Sequence, residues 1–453
     1  MVTGGWADPA RLLQEELVTL AYQGVEVPGE LRDRVMAVTP ANEYDDAVVD
    51  VLWKELGALK PRADFSYVQP DELEEIRAAR PKASFELAPM PSEEELLNRF
   101  HGAWIGRCCG CALGKPVECQ DGGWRWIKNC LQKHNDWPLK DYFSCAPAGD
   151  DATIRVCLDC CRENIKCMVG DDDVHYTLVG LTVMEQYGKD FQWQDIADVW
   201  DTHLPYNQIC TAETQAILNW HLRKARCYVA PRDQNITAEF TRSRCNPYRE
   251  WIGAQIRADF WAWGAAGDPE RAAEYAWRDA HWTHCKNGIY GEMFIAALQA
   301  AAFRESDPHR LVQIGLSQIP ENCRLAEEVR LTVEKCDELR DFDAYMEWHE
   351  KHFAGMNAVH TVNNACIVVM ALLLGNGDPD RSMCLAVSAG LDTDCNGATV
   401  GAILGILRGA RDFGGRLAPQ IHDTIEANMV GYQHESLTDL AKRTLAVWKK
   451  GQN

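Results

Sequence analysis

The sequence predicts an all-α fold, and three observations carry that prediction. Apolar residues recur at helical spacing along most of the chain. Helix-start and helix-stop signals repeat: "DPARLLQEELVTLAYQG" opens on Asp8 and Pro9 and stops at Gly24, and "GDPERAAEYAWRDAH" sets Asp268 as N-cap with Pro269 in the first helical position. Strand-like alternation bounded by hairpin turns is scarce.

The 453 residues suffice for one large domain or two to three ordinary ones. A formal charge of −21 argues against nucleic acid or an anionic membrane surface as the main partner. An anionic small molecule stays compatible where a bound cation reverses the local field. The first twenty residues lack the basic start and apolar run of a signal peptide. The longest apolar stretch, "ACIVVMALLLG" from Ala365, is too short to span a bilayer. The expectation is a soluble, cytoplasmic protein. The 19 cysteines form an odd set without a secretory signal, which favours reduced thiols. "CLDCC" (Cys157, Cys160, Cys161) contains a C-x-x-C that would suit redox or metal chemistry, but no second pair stands at zinc-ribbon spacing. These cysteines are read as small buried apolar residues.

Taken in order, residues 1–92 read as a charged helical extension ending in "ELAPMPSEEELLNRF", where Ser92 and Glu95 have capping-box spacing. The main domain is expected over 93–453. Its first helix, "FHGAWIGRCCGCALGKPVE", carries Gly102, Gly106, Gly110 and Gly114 on one face. Glycine inside a helix costs about 0.5–1 kcal/mol relative to alanine, so such a ridge implies a neighbour packed backbone-close. "GLDTDCNGATVGAILGILRG" repeats the device with Gly397, Gly401, Gly405 and Gly409. The two ridged helices are expected to be central and to bring their ends together. Between them, a Trp-rich irregular stretch near 119–149 reads as an insertion.

The ends carry acids: Glu118 after the first ridged helix, Asp392 and Asp394 before the second, and Asp171, Asp172 and Asp173 before "VHYTLVGLTVMEQYG". Carboxylates at helix N-termini have a plain structural use in capping, worth about 0.3–1 kcal/mol each. Three such groups converging would need a hard cation with oxygen ligands, magnesium or manganese.

These motifs resemble the ADP-ribosylglycohydrolases, including the dinitrogenase reductase-activating glycohydrolases. "GRCCGCALGKPVE", "GDDDVHYTLVGL" and "GLDTDCNGATVGAI" stand in that family's order over roughly residues 97–410. The resemblance implies a compact, orthogonal all-helical bundle with one or two Mg2+ or Mn2+ ions in a cleft. It implies metal ligation by Asp171, Asp172, Asp173, Asp392 and Asp394, with Cys395 where the family usually has a hydroxyl ligand. Asp171 stands at the family's threonine. Asp150 and Asp151 in "AGDDATIRVCLDC" rival the early pair; 171–173 is preferred because the following helix continues as the family's does.

Glu118, Asp172 and Asp173 are the candidate catalytic acids. "HWTHCKNGIYGEMF" offers His284, Asn287, Gly288, Tyr290 and Gly291 as a substrate wall, by backbone approach to a phosphate or ribose and by stacking on a base; the alternative is that both glycines only turn the chain. Arg249, Trp251, Arg257, Tyr206 and Glu213 are further candidates, while His360, Asn363 and Asn364 read as helix capping.

The expected reaction is metal-dependent hydrolysis of a ribosyl N-glycosidic bond, on an ADP-ribosylated protein or NAD-derived compound. Alternatives are a free N-riboside as substrate, or a non-catalytic ADP-ribose-binding or structural role, since some relatives are lens crystallins.

Overall fold

A computed structural model describes residues 5–39, 46–147, 149, 152–223 and 236–452. Asp150 and Asp151 lie outside the described residues. Within them the chain forms twenty α-helices and three short strands. Aspartate N-caps followed by proline start four helices: Asp8, Asp268, Asp307 and Asp378 each accept backbone N–H groups of the first turn. At Ser92 the capping box is half made. Its hydroxyl accepts from the Glu95 N–H at 3.3 Å, but the Glu95 carboxylate turns to Arg99 and Arg411 instead of back to the cap.

The first ridged helix (Glu93–Gly114) lies antiparallel to the second (Thr393–Arg408). Gly102 faces Gly405, Gly106 faces Gly401, and Gly110 faces Gly397, so a Cβ on any of these six would collide with the opposite carbonyl. Gly114 meets the Thr393–Asp394 backbone, where the Thr393 hydroxyl donates to the Gly114 carbonyl at 2.8 Å. Beyond it, the Cys119 N–H donates to the Leu391 carbonyl at 3.0 Å. The C-terminal end of one helix is thereby fixed against the N-terminal end of the other. Opposed helix dipoles favour that arrangement.

Around this pair stand Asn287–Ala302, buried along its whole length, and Thr361–Leu374, buried through Leu372, as helices apolar on all faces must be. The extension has an apolar cluster of its own, including Leu13, Leu17, Val35, Leu52 and Leu56. Its first helix (Pro9–Tyr22) also docks on the main body through Leu12, which packs with Ala212, Tyr248 and Trp251. Polar clamps reinforce the contact: Arg249 donates to Glu16, Gln23 to Glu250 at 2.8 Å, and Thr19 to the Pro247 carbonyl at 2.6 Å.

The small sheet was not foreseen. β1 (Met168–Val169) pairs parallel with β2 (Thr424–Met429), which pairs antiparallel with β3 (Tyr432–Ser436). Its signal is present but brief: Ile425, Ala427 and Met429 are buried while the residues between them face outward. The Trp-rich insertion folds as a helix (Gly123–Lys133) packed through Trp124 on Phe342. The described cysteines are free thiols, and Cys160 and Cys161 are buried. Among the described residues, no helix is long and apolar enough to cross a membrane.

Backbone contact makes the ridge intolerant of even one methyl. Gly401→Ala is expected to lose about 1–3 kcal/mol or more of unfolding free energy in urea. Gly29→Ala, whose Cβ would meet open space, should change it by less than about 0.5 kcal/mol.

Candidate active site: an acidic cleft

Three separated segments deliver their acids to one place. The 3-10 turn Lys115–Val117 carries Glu118 away from the first ridged helix. β1 is followed by Gly170, whose missing side chain leaves room for Asn428 of β2, and Asp171 comes next as N-cap of the helix Asp172–Tyr187. The Asp171 carboxylate accepts from the Asp173 N–H at 3.0 Å. Asp392 and Asp394 open the second ridged helix. There Asn364 accepts from the Asp392 N–H at 3.3 Å and from the Asn396 amide at 2.7 Å. Asn364 therefore positions the site rather than only capping a helix.

Ligand atoms of Cys111, Asp171, Asp173 and Asp394 lie within 4.8 Å of one another, and so do those of Asp392, Asp394 and Cys395. Glu118, Asp171, Asp172, Asp392, Asp394 and Cys395 line a cleft of about 390 Å³. Asp173 lies fully buried beneath it.

Two cations that the sequence reading passed over enter from the first ridged helix and its end. Arg107, fully buried, lies 2.6 Å from Asp173 and 3.3 Å from Asp259. Lys115 donates to Asp171 and, at 3.0 Å, to the Gly170 carbonyl. Burial works to raise Asp171, but Lys115 and the Asp173 N–H outweigh it and hold this carboxyl below the usual range. Arg107 serves two buried carboxyls, and burial raises both.

None of the remaining four acids, Glu118, Asp172, Asp392 and Asp394, has an ion pair among the described residues, although the charge of Lys115 reaches Glu118 and Asp394. Burial first, then the charges of Asp171 and Asp173, push Asp172 well up. Burial and then Asp394 do the same to Asp392. Asp394 is pushed up to about 6 by burial and by Asp171. Glu118 is raised chiefly by the charge of Asp394 and then by desolvation; because it is exposed to the cleft, solvent screens part of that repulsion.

Asp392 Oδ1 and Asp173 Oδ2 are buried without a hydrogen-bond partner. Such oxygens cost about 1–3 kcal/mol each unless something satisfies them. A hard divalent cation on Asp392 and Asp394 fits this donor set. Cys395 fits it less well: burial, Asp173 and Asp392 keep its thiol protonated, so it offers an S–H to the carboxylates rather than a thiolate to an ion.

The expected substrate wall is elsewhere. His284, Asn287, Gly288, Tyr290 and Gly291 are all buried, and none lines the cleft. Tyr290 donates to the Pro70 carbonyl, and Asn287 donates to Gln69 and Glu250 at 2.8 Å each. Gly288 makes room for the Arg249 carbonyl and Gly291 for the Thr361 methyl. His284 bonds Thr283 at 2.8 Å. This segment seats the extension and a core helix. Arg249 is held by Glu16, and Arg257 is held by Glu213 and Asp279, so neither guanidinium is free for a diphosphate.

The wall that does line the cleft comes from Trp6 of the extension, Asn207, Gln208, Glu213, Trp251 and Ile252. Trp6 stands edge-on to Tyr248 and Trp251, with ring centroids 5.9 and 6.3 Å away. Exposed Tyr206 adjoins this wall in sequence.

A family model described as ADP-ribosylglycohydrolase matches residues 92–453. A solved structure described as an ADP-ribosylglycohydrolase-related protein complex is 18% identical, covering 79% of this chain and 99% of that one, with a TM-score of 0.48. No curated protein matches the chain.

The raised carboxyls make the stability of the metal-free chain sensitive to pH. A folded-state value of about 6 at Asp394, against about 3.9 unfolded, gives stability that is complete below the lower value. It is lost as pH rises through the upper one. In EDTA, the thermal midpoint should fall between roughly pH 4 and 6, and Asp394→Asn should flatten that fall. Saturating Mg2+ or Mn2+ should offset it, because the ion replaces the shared protons.

Proposed function

The chain belongs to the ADP-ribosylglycohydrolase family, and from that premise we propose that it is a metal-dependent hydrolase cleaving a ribosyl N-glycosidic bond. The substrate is an ADP-ribosylated protein or a small NAD-derived compound. The observation that carries this reading is the convergence of Glu118, Asp172, Asp392 and Asp394 on one cleft, none of them in an ion pair among the described residues.

Breaking an N-ribosyl bond develops positive, oxocarbenium-like charge on the sugar. Carboxylates around the sugar stabilise that charge. A divalent ion, Mg2+ or Mn2+, held by Asp392 and Asp394 would supply electrostatic stabilisation and orientation of ribose hydroxyls. Asp172, which lines the same cleft, stabilises the developing charge. Glu118, exposed in the cleft, acts as base in its ionised form: it takes a proton from the attacking water, whose oxygen bonds to the anomeric carbon, and passes it to the departing nitrogen, which keeps the electron pair of the broken C–N bond. Asp171 and Asp173, tied to Lys115 and Arg107, hold the floor rather than transfer protons.

Residues 93–453 carry the chemistry in this reading, and residues 1–92 add a wall. That wall favours a second possibility for the substrate. A cleft of about 390 Å³ closed on one side by Trp6 is at the small end of ligand pockets, about 300–1,000 Å³, which suits a free N-riboside. The charge of −21 disfavours nucleic acid and anionic membrane as partners, and reduced thiols suit the cytoplasm.

The test is release of ribose or ADP-ribose, followed by mass spectrometry, across ADP-ribosylated proteins and N-ribosides with and without divalent ions. Asp172→Asn and Asp394→Asn are expected to keep the native circular dichroism and to lose about 10²–10⁴-fold in kcat/KM. Full activity in either removes that residue from the mechanism. Trp6→Ala should raise KM several-fold for a small riboside and leave kcat nearly unchanged. No change in KM would take Trp6 out of the substrate site.

A further inference from the structure

The acid cluster divides into two overlapping ligand sets that share Asp394: Cys111, Asp171, Asp173 and Asp394, and Asp392, Asp394 and Cys395. Only the first has an ammonium bonded to one of its carboxylates; the Lys115 charge reaches the second only through the shared Asp394. In the first, the Lys115 ammonium already takes the Asp171 carboxylate and the Gly170 carbonyl, oxygens of the kind a hard cation binds. Arg107 takes Asp173 from beneath at 2.6 Å.

Lys115 is held where it stands. Its backbone sits between Gly114, which has no room against the Thr393–Asp394 backbone, and Pro116. Its side chain is only 17% exposed. A divalent ion in the first set would compete with the ammonium for the same oxygens and be repelled by it. Each set holds one buried carboxylate oxygen without a hydrogen-bond partner, Asp173 Oδ2 in the first and Asp392 Oδ1 in the second, but only the first has the ammonium bonded within it.

We infer that the Lys115 ammonium fills one of the two cation positions of the cluster, so that the chain takes a single divalent ion, at Asp392 and Asp394. The inference rests on reading the cleft as a metal site but not on turnover.

The test is ion stoichiometry on the full chain, by Mn2+ titration followed by electron paramagnetic resonance and by elemental analysis after dialysis. The wild type should hold one ion per chain, and Asp392→Asn should hold none. Lys115→Met, which keeps the apolar stem without the charge, should hold two, and Lys115→Arg should remain at one. Two ions or none in the wild type would overturn the inference, as would a single ion in a folded Lys115→Met. If that variant does not fold, the wild-type and Lys115→Arg counts still decide. A one-ion chain that hydrolyses no riboside keeps this inference and loses the proposed function. A two-ion chain that does hydrolyse one has the opposite consequence.

Discussion

The structure depends on two helices touching backbone to backbone. Six glycines on the two facing ridges remove every side chain that would hold the helices apart. Each glycine weakens its own helix, and the closeness of approach offsets that loss through dispersion and opposed dipoles. Close approach also fixes register. Because Gly110 must face Gly397 and Gly114 must face Thr393, Lys115 and Glu118 can emerge only beside Asp392 and Asp394. The site's geometry follows from a packing rule.

Concentrating acids at that junction opposes folding unless something offsets the repulsion. The chain uses different means at different depths. At the floor, Arg107 is shared between Asp173 and Asp259. At the side, Lys115 holds Asp171 in its charged form. Toward the cleft the acids have no ion pair among the described residues and hold protons more tightly than usual. A buried carboxyl lacking a partner neutralises itself by protonation or by binding a cation. Both states are within reach of this cleft.

Much of this was legible in the sequence. The four-residue glycine spacing gave away the central pair, Asp-Pro steps marked helix starts, and the three acidic groups do meet. What was not legible has physical reasons. Arg107 and Lys115 are single cations among 46 lysines and arginines, and their importance comes only from facing acids far along the chain. "NPYREW" and "NGIYGE" have the polar and glycine content of a ligand loop, yet they form the seat of an extension whose own sequence shows no sign of where it docks. Glu250, for example, accepts from Gln23, Asn287 and Arg324 at once. Asn364 looked like a cap because its partner, Asp392, is 28 residues away.

The three-stranded sheet ties Met168–Val169 to a hairpin more than 250 residues downstream. No residue of that hairpin lines the cleft, yet β1 ends two residues before Asp171. The pairing is of high contact order, and such contacts form slowly and late. During synthesis the ribosome therefore releases Asp171, Asp172 and Asp173 long before the strand that steadies them exists. Assembly of the cleft is consequently coupled to completion of the C-terminal region, and a chain that ends before β2 carries all of the acids while Asp171, Asp172 and Asp173 lack the strand that steadies them.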